Sequence, residues 1–407
     1  MDSYKGGYDY RGELSMHQNQ RFSRRNFLSL SLATVGAASA GALLGTKPAL
    51  GQETRTASYI FTDDLGRNIR VPNIIESVTP TGIHAQTILT ELYPQKMASL
   101  AMEISESDAA DYEEANMDEL LELPETGTLL LTSDVDIDSD VVEDISPAIM
   151  LDVGLPKEGL TDKLNALQLE TNVPYIFIDI SFGKLPQAYR SIGRLLGCEQ
   201  RAEALAEYVE SVMDEVGSMV PKQQGAPKVF YAQRECGLEL TSGVSLQLDA
   251  LFFAGAIPIV EPYDFASKTI NFETLSQTPV SWIIFDDTTM LESLQNGEGK
   301  AWDIWSNVIS MGTSYAVSPA LYHSWFGSLV FAQSIGLLWL CSIFWPQLCN
   351  WTMEERAQEF YDLFYGRDLE EESTQELVGE FQATMTPDAP ILEPIDADNE
   401  EVISDEQ

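Results

Sequence analysis

Twenty-one residues, Glu199 to Met219, constrain this chain more than any others. Leu205, Val209, Val212, Val216 and Met219 recur at spacings of three and four, which puts them on one stripe of an α-helix. Upstream, Gly197 ends an earlier, shorter helix by supplying a left-handed C-cap position. Pro221 and Gly225 stop the long helix. At about 1.5 Å per residue it makes a rod of roughly 30 Å, close to the width of a small domain. Blocks of similar size flank the rod, so it reads as a spine joining two lobes. The same pattern also describes an ordinary amphipathic surface helix.

The chain has 407 residues, enough for two domains. Lys and Arg number 23 against 64 Asp and Glu, a net charge of −41. Such a surface excludes nucleic acid as a partner, because phosphates need a basic footprint, and disfavours an anionic membrane face. The four cysteines, Cys198, Cys236, Cys341 and Cys349, form no CxxC pair and no zinc-type cluster with histidine. Cys341 and Cys349 are close enough in sequence for a disulfide outside the cell, and separate buried thiols explain them equally well.

Ser23-Arg24-Arg25-Asn26-Phe27-Leu28 follows a polar segment and precedes an apolar run to Leu44. Paired arginines in that setting resemble the twin-arginine export signal, which makes residues 1–51 an address. Cleavage is expected after Ala49-Leu50-Gly51, with Ala38-Ser39-Ala40 as a second site. No cysteine lies near either site, and an uncleaved segment would anchor the chain. Cleavage removes 6 of the 23 bases and 3 of the 64 acids, leaving 17 against 61, a net −44. Of three histidines, His84 and His323 then remain.

The rest reads as alternating strands and helices. Residues 60–72 form a hairpin turning at Asp64-Leu65-Gly66-Arg67. Strands are expected at Ile74–Val78, Leu129–Leu131, Ile149–Val153 and Val173–Ile180, with a helix at Ile83–Leu92. After the spine, strands are expected at Lys228–Ala232, Trp282–Phe285 and Ser314–Val317, and helices at Leu246–Ala254 and Glu354–Tyr365. The apolar run Phe326–Phe344 is long enough to span a bilayer. Gly327, Gln333, Ser334 and Gly336 interrupt it, which favours a core helix. Alternating strands and helices imply parallel sheets covered on both faces. The fold class is therefore α/β: two Rossmann-like lobes at 56–183 and 226–366, joined through linking helices at 184–225. Residues 367–407 form an acidic tail, disordered from about Gln382.

Two phrases echo each other across the lobes. Asp140 opens a short helix that turns at Pro147 into Ile149-Met150-Leu151-Asp152, and Glu273 opens one that turns at Pro279 into Trp282-Ile283-Ile284-Phe285-Asp286. An acid in a first helical turn also suits simple capping.

With the opening TDDLGRNIRVP (62–72), the strand-loop VTPTG (78–82), the spine phrases IGRLLG (192–197) and RAEALAEY (201–208), and Glu359–Tyr365 near the end, the order of these phrases resembles the substrate-binding proteins of iron-chelate and cobalamin ABC importers. The resemblance covers about residues 58–366. It implies two lobes on a rigid helix, a metal chelate as transport cargo in the cleft, no intrinsic cofactor, and a monomer that partners an importer permease and its ATPase. It also implies that Asp140 and Glu273 dock onto the transporter.

Open α/β sheets bind ligands beyond the carboxyl ends of their strands. The loops expected there are 80–84, 179–182, 233–238 and 318–326. They offer Thr81 and Gly82, Arg234 to pair a ligand carboxylate, and Tyr322 and Trp325 as flat apolar area. Core packing is the competing reading for Tyr322 and Trp325, and a surface ion pair for Arg234. His84 falls in the first turn of a helix, whose dipole disfavours the imidazolium and leaves a neutral ring able to meet a metal. His323 lies in the aromatic loop. Alternatively, His84 is a solvated first-turn residue and His323 a hydrogen-bonded loop residue. The acidic surface favours haem-like or corrinoid ligands over strongly anionic chelates. No nucleophile triad, phosphate loop or cluster-binding cysteine set points to an enzyme. Two rival readings are an anchored surface binding protein of this fold without transport, and an exported redox protein.

Overall fold

The computed structural model describes residues 57–369 apart from 105–108, 110–111, 114–116, 130–136, 221–224, 234–236, 238–243, 260–262, 265–268, 287, 289 and 311, together with Leu377. The twin-arginine motif, most of the expected strand at 129–131, Arg234, Cys236 and the tail beyond 377 lie outside the described residues.

The chain opens with an antiparallel hairpin, β1 (Ser58–Thr62) and β2 (Asn68–Pro72). Asp63 closes its turn: the carboxylate accepts from the Arg67 backbone N–H at 2.9 Å and from the Arg67 guanidinium at 2.6 Å. The next strand, β3 (Val78–Pro80), starts later than the apolar run at 74–78 suggests, and Ile74 is 66% exposed. Then come α1 (Ile83–Leu92), α2 (Ser139–Ile145), β4 (Ile149–Gly154), α3 (Leu160–Thr171) and β5 (Tyr175–Asp179). The three strands form a parallel sheet in the order β3-β4-β5. All five residues of β5 are buried, as a strand covered on both faces requires.

Two helices follow β5 and lead to the strands of a second sheet. The first, α4 (Leu185–Leu196), ends at Gly197 in the left-handed conformation (φ 72°). The spine, α5, runs from Glu199 to Met219 as its periodicity indicates. It buries Leu205, Val209, Val212 and Val216 together with Ala202, Ala206 and Tyr208. Burying each large apolar side chain favours the fold by about 1.5–3 kcal/mol. The two helices cross closely: a Cβ on Gly193 would stand 2.2 Å from the Ala202 Cβ, so this crossing admits only glycine. On the outer face Arg190 bonds both Glu203 and Glu210.

The second lobe contains β6 (Lys228–Ala232), α6 (Val244–Phe253), β7 (Ile257–Pro258), the small hairpin β8 (Tyr263–Asp264) and β9 (Thr269–Ile270), α7 (Phe272–Gln277), β10 (Trp282–Phe285), α8 (Met290–Asn296), α9 (Lys300–Ile309) and β11 (Ser314–Val317). Its sheet is parallel throughout, in the order β7-β6-β10-β11. A tight hairpin follows, β12 (Ala320–Leu321) and β13 (His323–Ser324). The chain closes with α10 (Ile335–Phe344) and α11 (Met353–Tyr365). The long apolar run therefore becomes a buried 3₁₀ turn, Phe331–Gln333, and a ten-residue core helix. Among the described residues no helix is long and apolar enough to cross a membrane.

One apolar cluster is continuous from Val71 and Ile88 through Leu205 and Val216 to Ile284 and Phe326. The spine thus packs in one core with residues from both the N-terminal and the C-terminal sheet. A second cluster around Trp305 covers the other face of the C-terminal sheet, and a third around Tyr175 covers the other face of the N-terminal one. Among the described residues Cys198, Cys341 and Cys349 are free thiols.

Candidate functional site

A cavity of about 300 Å³ lies beyond the carboxyl ends of the strands and is lined by Ile83, His84, Asp286, His323, Ser324, Gly327 and Ser328. Ile83 and His84 belong to the first turn of α1, three and four residues past β3; Asp286 directly follows β10; the others follow β11. Both sheets therefore contribute their strand exits, where open α/β sheets place ligands.

The N-terminal wall is the start of α1. Its N-cap, Gly82, offers no side-chain cap, and its first turn carries no acid. The leading N–H groups of such a helix are donors for a ligand. The His84 imidazole is mostly buried, and among the described residues its Nδ1 has no hydrogen-bond partner. Burial, then the neighbouring His323 and Lys157, lowers its pKa to about 4. The ring is neutral near pH 7 and keeps a lone pair. The strand before it is fixed from below. Buried Thr81 donates to the Leu151 carbonyl at 3.1 Å and accepts from the Tyr175 hydroxyl at 2.6 Å. Asp152, at the end of β4, has its carboxyl pushed up to about 7, chiefly by burial.

The C-terminal wall is the β12–β13 hairpin and the turn after it. Thr87 gives its hydroxyl proton to the Ile83 carbonyl at 2.9 Å. It therefore accepts from His323 Nε2, 2.8 Å away, which ties this wall to α1 and fixes the imidazole tautomer. Ser324 Oγ donates to Ser318 Oγ at 3.0 Å and accepts from the Gly327 N–H at 3.0 Å. Asp286 accepts from the Tyr231 hydroxyl at 2.7 Å.

Of the residues singled out in the sequence, the fold brings His84 and His323 together on the cavity. Thr81 and Gly82 support it from beneath. Tyr322 and Trp325 do not reach it. Trp325 is fully buried and donates its indole N–H to the Tyr361 hydroxyl at 2.7 Å. Tyr322 stacks on Tyr365 with ring centres 4.1 Å apart. The aromatic loop has folded onto α11, so its rings are spent on packing. Asp140 and Glu273 are both exposed, one in each half. Neither is a cap, because Asp138 caps α2 and Asn271 caps α7 through their own side chains.

Asp286, Ser324 and Ser328 were not singled out. Asp286 had a visible signal, since it ends an apolar strand phrase at the edge where ligands bind. Gln333 is another. Buried in an apolar run, its amide donates to the Ile180 carbonyl at 3.0 Å and accepts from the Gly183 N–H at 2.8 Å. It fastens the loop after β5 to the C-terminal half, and Phe182 packs on Phe253 beside it. A lone amide inside such a run is the cue, because a buried polar group needs partners.

Among the described residues no group of three or more His, Cys, Asp or Glu side chains is placed to hold a metal ion.

No family model matches the chain, and no curated protein matches it in sequence. Solved structures do. An ABC transporter solute-binding protein from Sulfurospirillum deleyianum aligns with a TM-score of 0.66 at 19% identity, covering 79% of this chain and 99% of that one. CeuE from Helicobacter pylori, solved with Ni(II) bound, aligns at 0.58 and 11% identity, covering 78% and 99%. The periplasmic molybdate-binding protein MolA from Haemophilus influenzae aligns at 0.57 and 14% identity, covering 77% and 99%. At such identities the likeness is one of fold: the chain has the α/β architecture of periplasmic solute-binding proteins.

Proposed function

We propose that this chain is an extracytoplasmic solute-binding protein that delivers a metal complex to an ABC importer. One observation carries the reading: a cavity at the strand exits of both sheets has one imidazole from each half, His84 and His323, on its wall. Likeness of fold to solute-binding structures, over about four fifths of this chain and 99% of theirs, supports the role. Among the described residues too few protein ligands stand together to sequester a bare ion, which favours a chelate with a position open to imidazole as the cargo.

Among the described residues the lining contains two imidazoles, a carboxylate and two hydroxyls, and neither Lys nor Arg. With a formal net charge of −41, this favours haem-like and corrinoid ligands over a strongly anionic chelate such as a trianionic catecholate. At about 300 Å³ the cavity is at the lower end of ligand pockets, which run from about 300 to 1,000 Å³, so a macrocyclic ligand would be only partly enclosed. Export by the twin-arginine route, a monomeric state, and docking of Asp140 and Glu273 onto a permease–ATPase pair complete the proposal.

Calorimetric titration with haemin, cyanocobalamin, nickel(II)–histidine, a ferric trihydroxamate, a ferric tricatecholate and molybdate tests the class. Saturable binding of haemin, the corrinoid or another weakly charged complex is expected. Binding of molybdate or the tricatecholate alone would refute the charge preference. A second reading, a surface binding protein without transport, is distinguished by whether the loaded protein stimulates ATP hydrolysis by the reconstituted importer.

A further inference from the structure

We infer that Tyr322 is a positioning residue for His323: its ring, stacked on Tyr365, holds a strained one-residue turn that aims the imidazole at Thr87 and the cavity. In the β12–β13 hairpin Leu321 pairs with His323 and Ala320 with Ser324, so the chain reverses through Tyr322 alone. Its φ is +62°, a region that residues with a Cβ rarely adopt. Among the described residues only Ser146 and Asn172 share a positive φ without being glycine, and both are helix C-caps. Glycine would serve the turn alone at no steric cost, so an aromatic residue here points to a use for the ring.

The contacts of the ring define that use. Tyr322 lies face to face with Tyr365 at 4.1 Å and 5°, and Tyr112 meets it edge-on at 5.1 Å. Tyr365 belongs to α11 and Tyr112 to the N-terminal half, so the tip of the hairpin is pinned from two sides. The next residue is His323, whose Nε2 reaches Thr87 at 2.8 Å. Once the ring is removed, the tip loses its pinning on Tyr365 and Tyr112, the hairpin is free to shift, and the imidazole leaves Thr87.

The functional meaning of this rests on the reading of the cavity given above, but the test needs no ligand. The full chain, labelled with ¹⁵N-histidine, has three histidines, His17, His84 and His323, assigned by substituting each with glutamine. The wild type is expected to show a protected Nε2 proton on His323 and a single tautomer; Thr87→Val, which removes the acceptor, should abolish it. Tyr322→Ala and Tyr322→Gly should both lose that proton resonance while the His84 signals stay in place, and Tyr322→Phe should restore it. The glycine variant is decisive because it relieves the backbone strain: a retained resonance would show that the turn alone positions His323 and would overturn the role of the ring. Tyr365→Leu removes the stack from outside the turn and should give the same loss, which keeps the test open if a Tyr322 variant fails to fold. Persistence of the wild-type signal in Tyr322→Ala or in Tyr365→Leu would also overturn it. Failure of every complex to bind would sink the functional reading and leave this result standing.

Discussion

On the N-terminal side of the cavity, His84 stands in the first turn of a regular ten-residue helix. On the C-terminal side, His323 stands just past a left-handed tyrosine in a hairpin of two-residue strands. Local backbone structure orients the first imidazole. Long-range packing orients the second, through the Tyr322–Tyr365 stack and the buried Trp325–Tyr361 bond. A helix start is specified within a few residues, so substitutions on the first wall should be felt locally. The second wall depends on side chains about 40 residues apart, and substitutions there should be felt as stability.

The largest expected effect is accordingly on the C-terminal wall. Trp325→Ala empties a fully buried site and takes a donor from the Tyr361 hydroxyl, and should cost about 3–5 kcal/mol in denaturant unfolding. His84→Ala should cost under about 1 kcal/mol. Equal costs at the two positions would break the contrast.

The next effect sharpens the N-terminal side. The His84 pKa is lowered to about 4 when folded, against about 6.5 in an unfolded chain. Between those values the unfolded state binds more protons, so this group makes stability rise with pH from 4 to 6.5 and withdraws it as pH falls through 4. The span is at most roughly 3 kcal/mol. Glu91, raised to about 8, and Asp152, raised to about 7, act with the opposite sign: each weakens the fold as pH climbs from the ordinary carboxylate range toward those values. Subtracting the pH–stability curve of His84→Gln from that of wild type isolates the histidine share. A flat difference from pH 4 to 6.5 would mean that the ring is not buried neutral.

The smallest effect concerns the surface. Because Asp138 and Asn271 supply the caps, reversing Asp140 and Glu273 to lysine should change stability by less than about 0.5 kcal/mol. Ligand affinity should be untouched, and stimulation of importer ATPase should be lost. Loss of stability or affinity would show that these acids serve the fold.

What the sequence made legible follows the same division. The spine and strands β6, β10 and β11 fall where the apolar periodicity sets them, because burial patterns of that length have one solution. The hairpin at 320–324 read as loop, since two-residue strands carry no period. Tyr322 and Trp325 read as a ligand platform because an apolar ring in a cleft loop looks the same whether it faces a ligand or a helix. Their partners, Tyr365 and Tyr361, arrive only in the last helix. Asp286 was in view and went unused, although strand-exit logic applied to β10 as much as to β11. Gln333 was noticed as an interruption of an apolar run, and only the fold shows the two backbone groups it satisfies.

The central claim is that one imidazole from each half grips a metal complex, and the His84→Ala, His323→Ala double variant tests it most directly. The measurement is visible absorption and affinity with the tightest-bound coloured complex of the titration panel. Loss of the imidazole-dependent band together with at least about a hundredfold weaker binding, roughly 2.7 kcal/mol, is the expected result. An unchanged spectrum and an unchanged affinity would contradict it.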